Sequence, residues 1–498
     1  MAILDPRSTN LDELKKHNKE NDCWIVVHSK IYDITDYIHS HPGGPAIILK
    51  YAGKDATAAY DEVHAPSIIE ETLSPYQRKG LLNQAEVINL PEDQKSDIDK
   101  IAERTDHTME KDPYAKPDLL KIISAQDFED VARNVLTAKA WAFYSSAAND
   151  LIAHRMNRDC FRRIMFRPRV LRDITQTNTH CSILGCPSSA PFFVAPAAMA
   201  RLADKDGEMA IARGCGAEGI VQCISTNASY PLQSIVEAGE ENQTFFFQLY
   251  VNADREKTTQ LLRKAKDLGV KAIFLTVDAP IAGKREADER LAADVALASG
   301  ISGAQASNDK KGGGMGRLMG QYIDKRLSWE DLPWIMDVSQ LPIVVKGIQC
   351  AADAKLAMQY GCQGIQLSNH GGRQLDTAPP SIVTLLELHA ILPEIFHNLE
   401  IFVDGGITRG GDILKCLALG AKAVSIGRPF LYSLCYGQDG VEHLSQVFKD
   451  ELVTAMKLCG VTDISEANPS LVNTADLEHM VPRTEGHPWI SWKPKARM

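Results

Sequence analysis

The sequence predicts an α/β protein, a (β/α)8 barrel of the TIM type preceded by a small α+β unit. Three observations carry this expectation. From about residue 118 onward, eight short apolar runs alternate with helix-length segments, the rhythm of parallel strands joined by helical crossovers. Polar residues collect where those runs end, the end at which such barrels do their chemistry. Residues 1–84 have strand patterns of their own, Cys23-Trp24-Ile25-Val26-Val27 and Lys30-Ile31-Tyr32-Asp33-Ile34, followed by a charged stretch without apolar periodicity.

In chain order, residues 1–84 form the first unit and 85–117 a linker that ends in Lys111-Asp112-Pro113-Tyr114-Ala115-Lys116-Pro117. The barrel occupies 118–498. Its strands are expected at 192–197, 220–225, 245–250, 272–277, 343–346, 364–368, 401–404 and 423–426, with helical patterns at 254–268, 351–360 and 411–419. One connection, from about 279 to 332, is oversized. It contains Ser299-Gly300-Ile301-Ser302-Gly303-Ala304 and Lys310-Lys311-Gly312-Gly313-Gly314, and the expectation there is a mobile lid or a disordered loop.

Composition narrows the function. At 498 residues the chain is too long for one small core. A net charge of -10 argues against nucleic acid as a partner. No apolar run reaches the roughly 20 residues of a membrane span. The eleven cysteines are scattered and include no CxxC pair, the usage of a soluble protein in a reducing, intracellular compartment. The N-terminus has neither a signal-peptide core nor an Arg-rich transit segment. The last residues, Ala496-Arg497-Met498, have the small-basic-aliphatic pattern of a peroxisomal address, with the mitochondrial intermembrane space or the cytoplasm as alternatives.

The most informative stretch is Ser368-Asn369-His370-Gly371-Gly372-Arg373-Gln374-Leu375-Asp376, directly after the sixth apolar run. It places a base and a fixed cation three residues apart, with glycines between them that permit a sharp turn and close approach. His370 can accept a proton near neutral pH, and Arg373 can grip a carboxylate through two parallel hydrogen bonds. Other strand ends supply Gln248-Leu249-Tyr250, Thr276-Val277-Asp278, Lys346-Gly347, Asp404-Gly405-Gly406 and Gly427-Arg428-Pro429. The last two match the phosphate site common in such barrels, built from backbone N–H groups and a cation. With Lys346 they suggest a phosphorylated cofactor across the barrel mouth. No P-loop and no GxGxxG strand-turn-helix unit appears, which argues against a nucleotide held in the Rossmann manner.

Through Ser368–Asp376 and Thr276-Val277-Asp278-Ala279-Pro280, the barrel resembles the FMN-dependent L-2-hydroxy-acid oxidising family over about residues 118–490. That resemblance implies roles. His370 would be the base, its imidazolium stabilised by Asp278. Arg373 would bind the substrate carboxylate, Tyr250 the substrate hydroxyl, and Arg285 would be a mobile second arginine. Lys346 would sit beside the flavin. Ala197, Ser225, Gln248 and Thr276 would contact the flavin, while Asp404, Gly406, Gly427, Arg428 and Arg409 would hold ribityl and phosphate.

Three departures from the family pattern bear on the substrate. In Trp141-Ala142-Phe143-Tyr144-Ser145-Ser146, Phe143 stands where the family has a tyrosine, removing a hydrogen bond to the substrate carboxylate worth about 1.5–3 kcal/mol. Asn227, in Ser225-Thr226-Asn227-Ala228-Ser229, replaces a bulky apolar residue and points to a more polar substrate tail. Thr408 replaces a phosphate-binding arginine in Gly405-Gly406-Ile407-Thr408-Arg409.

In the first unit, His41-Pro42-Gly43-Gly44 and His64 offer two imidazoles that can face each other across a planar ligand, and axial ligation of haem iron is an established use of histidine. A zinc site from His39 and His41 lacks companion ligands at matching spacing. Residues 8–84, with Asp22-Cys23-Trp24 and Tyr32-Asp33-Ile34, resemble cytochrome b5. That resemblance makes His41 and His64 ligands of haem b.

A haem module tethered to an FMN barrel resembles the flavocytochrome b2 family along nearly the whole chain. This implies oxidation of an L-2-hydroxy acid, lactate foremost, with electrons passing through haem to a cytochrome c-like acceptor, and a homotetramer. The alternatives are a 2-hydroxy-acid oxidase that reduces oxygen to hydrogen peroxide, and an electron-transfer protein with a catalytically dead barrel.

Overall fold

In a computed structural model, eight parallel strands close into a barrel: β1 Phe192–Val194, β2 Val221–Ser225, β3 Phe245–Leu249, β4 Ala272–Thr276, β5 Ile343–Ile348, β6 Gly364–Leu367, β7 Glu400–Asp404 and β8 Ala423–Ile426. They follow chain order around the ring, and β8 closes on β1 through Val424–Phe192, Ser425–Phe193 and Ile426–Val194. The structure describes residues 8–9, 11–41, 45–64, 68–82, 116–291, 297–306 and 314–484.

Every strand lies where the apolar runs placed it, because a strand with barrel interior on one face and helices on the other is apolar on both. Apart from half-buried Glu400, all residues of these strands are buried. Near the strand starts, Phe193, Phe246, Phe274 and Phe402 fill the interior with ring centroids 5.3 to 6.0 Å apart. The hairpin Cys181–Ile183/Cys186–Ser188 packs on this cluster through Ile183. The core therefore closes the N-terminal end and leaves the C-terminal mouth for chemistry. The helices Arg255–Asp267, Ala351–Gln359 and Gly410–Ala418 begin and end within one residue of the sequence expectation.

The described residues of the connection between β4 and β5 have secondary structure of their own, with helices Glu286–Arg290 and Met315–Met319 and a hairpin pairing Leu297–Ala298 with Gln305–Ala306. Long-range bonds tie this segment to the barrel. Ser299 Oγ donates to the Thr226 and Ala228 carbonyls, and Gly300 sits so close to Tyr230 and Pro231 that an added Cβ would lie 2.5 Å from the Tyr230 backbone. Residues 307–313, with Lys310 to Gly313 of the glycine run, lie outside the described residues.

The N-terminal unit has a five-stranded sheet ordered Ser8–Thr9, Arg78–Leu82, Lys30–Asp33, Asp22–Val27 and Asn18–Lys19. Its core includes Val27, Tyr32, Ile34, Ile38, Ile69 and Leu73. Helices Pro45–Lys50, Thr57–Val63 and Ile68–Thr72 complete it. Residues 85–115 of the linker expected at 85–117, the turn Pro42-Gly43-Gly44 and the tail Ala496-Arg497-Met498 lie outside the described residues. No described helix is long and apolar enough to cross a membrane.

Candidate active site at the barrel mouth

The turn after β6 is held in an unusual conformation. His370, Gly371 and Gly372 have φ values of 58°, 62° and 76°, a left-handed run that only the glycines adopt without cost. Asn369 stabilises it by accepting from the Gly372 amide at 3.0 Å, and its own amide pairs reciprocally with that of buried Asn157 at 2.8 and 2.9 Å. A Cβ on Gly372 would lie 2.6 Å from the His154 amide nitrogen. The turn and the helix Ile152–Arg163 are therefore in backbone contact.

This geometry turns His370 toward Asp278, beyond the end of β4. His370 Nδ1 and Asp278 Oδ1 are 2.8 Å apart, and the carboxylate is 0% exposed. Burial pushes the imidazole below its ordinary pKa, and Asp278 opposes that shift. Burial also disfavours ionised Asp278, but the charges of His370 and Lys346 outweigh it and hold the carboxyl below its usual range. Lys346 is buried on β5, with Nζ 3.2 Å from Ser368 Oγ, 3.4 Å from Asp404 Oδ2 and 3.9 Å from Asp278 Oδ2. Burial works against its charge, yet Asp404 and Asp278 prevail and raise its pKa.

Around this pair lies a cavity of about 220 Å³. Tyr250, Arg373 and Arg285 line it beside His370 and Lys346. Burial raises the Tyr250 phenol, helped by Asp278, and burial lowers both guanidiniums. Arg373 donates to the Tyr144 and Ser146 carbonyls, both at 2.9 Å, with its guanidinium 5.4 Å from the Phe143 ring centroid. Arg285 donates to the Arg373 carbonyl at 3.2 Å and to Gln374 Oε1 at 3.1 Å. Cations crowded in this way, with carbonyls as partners, favour an incoming carboxylate.

A polar rung crosses the mouth. Gln248 Oε1 accepts from Ser225 Oγ and its Nε2 donates to Thr276 Oγ1 at 3.0 Å. Gln366 Nε2 donates to Asp404 Oδ2 at 2.6 Å and to Ser425 Oγ at 2.8 Å. Asp404 Oδ1 and Gln366 Oε1 are buried without a protein partner. Two orphaned acceptors suit a ligand rich in hydroxyl donors, as a ribityl chain is. Gly406, Gly427, Arg428 and Ala197 border the same cavity.

Arg409 is the predicted site residue that the structure sets apart. Its guanidinium pairs with Glu451 at 2.6 Å, is more than half exposed, and does not line the cavity. Sequence reasoning missed Arg158, which lines the cavity paired with Glu129 at 2.6 Å, and His154, held at about 3 by burial and by Arg428. Asn157 and Arg158 follow His154 by three and four residues in the helix Ile152–Arg163, a spacing the sequence could have flagged. Gln366, a polar residue inside an apolar strand, was a signal of the same kind.

In the N-terminal unit, His41 follows the 3-10 helix Thr35–Ser40 and His64 the helix Thr57–Val63. Their ring centroids are 5.8 Å apart, and His41 Nδ1 is buried without a partner. Metal–imidazole bonds of about 2 Å leave room for one ion between rings so spaced. Burial and the neighbouring His41 lower His64 to about 4, which keeps the neutral, ligating form. No cluster of three or more His, Cys, Asp or Glu occurs among the described residues, and His39 is exposed beside Glu20 at 3.3 Å. A haem iron held by two histidines fits this arrangement better than zinc.

Comparison with known proteins agrees with both halves. Residues 132–474 match the FMN-dependent dehydrogenases and residues 10–83 the cytochrome b5-like haem/steroid binding domain. The chain is 40% identical over 472 residues to an L-lactate dehydrogenase (cytochrome) of Wickerhamomyces anomalus, covering 94% of this chain and 80% of that protein. It is 37% identical to glycolate oxidase 3 of Arabidopsis thaliana, over 71% of this chain and 97% of the relative. Among solved structures, the recombinant flavin-binding domain of baker's yeast flavocytochrome b2 superposes with a TM-score of 0.66 at 39% identity, covering 77% of this chain and 94% of that one.

Proposed function

The chain belongs to the FMN-dependent dehydrogenase family and carries a cytochrome b5-like domain, and on that premise we propose that it oxidises an L-2-hydroxy acid, lactate foremost, to the 2-oxo acid and delivers the electrons to a cytochrome c-like acceptor. FMN and haem b are its cofactors. When bound, FMN supplies a two-electron acceptor and haem b a one-electron relay.

The observation that carries the reading is the His370–Asp278 pair facing a cavity lined by Arg373 and Arg285. With Nδ1 committed to Asp278, Nε2 of His370 is the nitrogen that receives the proton leaving the substrate. Asp278 stabilises the imidazolium that results. Arg373 and Arg285 bind and orient the carboxylate, and Tyr250 Oη holds the substrate hydroxyl. Lys346 places a buried cation where the cofactor gains negative charge. Asp404 and Gln366 supply acceptors for the ribityl hydroxyls, and the backbone of Gly406, Gly427 and Arg428 supplies donors for the phosphate. His41 and His64 ligate the haem iron.

We further assign residues 1–84 to the haem module, 85–117 to its tether and 118–498 to the barrel. The tether raises the effective concentration of one module at the other. Val170 and Leu171, 80% and 103% exposed on the barrel unit, support a homo-oligomer, with a homotetramer as the assembly to test. The described cysteines, all free thiols, support a reducing compartment.

The test is anaerobic mixing with L-lactate while flavin and haem spectra are recorded, followed by addition of cytochrome c. Bleaching of flavin, then reduction of haem, then reduction of cytochrome c is expected. Hydrogen peroxide formed in step with lactate oxidation, without cytochrome c reduction, would assign the oxidase chemistry of the glycolate oxidase branch. Flavin that no 2-hydroxy acid bleaches would sink the catalytic reading altogether.

A further inference from the structure

Asn227 lies just beyond β2, is buried, and lines the cavity that holds His370, Tyr250 and Arg373. Three residues of the β4–β5 connection fix its carboxamide. The Ser302 and Tyr322 hydroxyls donate to Oδ1 at 2.7 and 3.0 Å, and Nδ2 donates to the Met319 carbonyl at 3.4 Å. A carbonyl can only accept, so nitrogen must be the atom that faces Met319, and the amide has one orientation.

An amide nitrogen carries two N–H donors. Met319 takes one at long range, and the other has no acceptor among the described residues. A buried donor left unpaired is unfavourable, and the cavity wall that Asn227 forms is open to a ligand. Met319 and Ile323 line the same cavity.

We infer that Asn227 is a specificity-determining residue that donates its second N–H to an oxygen on the substrate's side chain, so that the enzyme favours 2-hydroxy acids with an oxygenated tail over alkyl isosteres. This rests on the 2-hydroxy-acid reading of the site. A site that holds a polar group for its substrate rejects the isostere lacking the partner, because that group is then left bare. Were Asn227 only a brace for the β4–β5 connection, its loss would affect both kinds of substrate alike.

L-Glycerate and L-2-hydroxybutyrate separate the two cases, since they differ by a hydroxyl in place of a methyl. The expected result is a preference for L-glycerate in kcat/KM of about tenfold, the worth of one neutral hydrogen bond, which Asn227→Leu abolishes. The ratio of inhibition constants for 3-hydroxypyruvate and 2-oxobutyrate should move in parallel and reads binding alone. Asn227→Ser, smaller and still polar, gives a second variant should the leucine disturb folding, and flavin content is matched in each comparison. Equal handling of the two substrates by the parent protein, or a preference that survives both substitutions, overturns the inference. L-Lactate serves as the separate control: flavin that it bleaches while the ratio stays flat refutes Asn227 alone, whereas flavin that no hydroxy acid bleaches refutes the underlying reading as well.

Discussion

Asp278→Asn keeps the shape of the pair with His370 and removes its charge. In the parent protein the carboxylate is fully buried, 2.8 Å from the imidazole, with Lys346 3.9 Å from its other oxygen. When His370 takes up a proton, a new positive charge forms beside that carboxylate. Two unit charges about 4 Å apart attract by about 4 kcal/mol at an effective dielectric near 20. Lys346 and Asp404 neutralise part of the field, so a loss of about 3 kcal/mol in the transition state is the working figure, or roughly 100-fold in rate. The readout is the anaerobic rate of flavin bleaching at saturating substrate, followed against pH. Burial already lowers the His370 pKa and Asp278 is what resists it, so the variant's acidic limb should move to lower pH while its plateau falls. A plateau within about threefold of the parent, under ~0.7 kcal/mol, would refute the charge argument. So would an acidic limb that stays in place.

Two further outcomes follow from the same geometry. Phe143→Tyr sets a hydroxyl on the ring that lies 5.4 Å from the Arg373 guanidinium, and a regained hydrogen bond to the substrate carboxylate of about 1.5 kcal/mol would lower KM about tenfold; an unchanged KM in steady-state kinetics would show that the hydroxyl does not reach it. Haem retention should be acid-sensitive, because an imidazole must be neutral to ligate iron and protons therefore compete with iron for His41 and His64. The haem Soret band of the full-length protein should hold steady near neutrality and fade in acid, and His64→Ala should lose it at neutral pH; a variant that keeps the parent's band contradicts the ligand assignment.

Much of the fold was legible because burial on both faces writes a parallel strand as an apolar run, and β1 to β8 are such runs. The rim residues were legible because a polar residue directly after such a run has few other reasons to be there. The connection between β4 and β5 was not legible. Its glycines and serines look like loop composition, and it is tied to the barrel by partners at Thr226, Asn227 and Ala228, some seventy residues away in sequence. Arg409 was read as a phosphate ligand from its place after Gly405-Gly406, but the side chain has a carboxylate partner in Glu451 on a distant helix. Nothing local announces such a partner. Asn227 shows the same limit from the other side: its identity was visible in the sequence, but the orientation of its amide depends on Ser302, Met319 and Tyr322 together.

His370 works from a backbone angle of φ 58°, a region costing a non-glycine residue about 1 kcal/mol or more. Burial of its imidazole opposes the charged form as well. A glycine would relieve the backbone angle, but it would also take from the fully buried Asp278 carboxylate the imidazole that pairs with it at 2.8 Å, and stripping one partner from a buried pair costs about 3–5 kcal/mol, more than the angle does. The contact that tunes the base is therefore also what keeps it in a conformation the backbone resists, so the turn and the buried carboxylate have to change together or not at all.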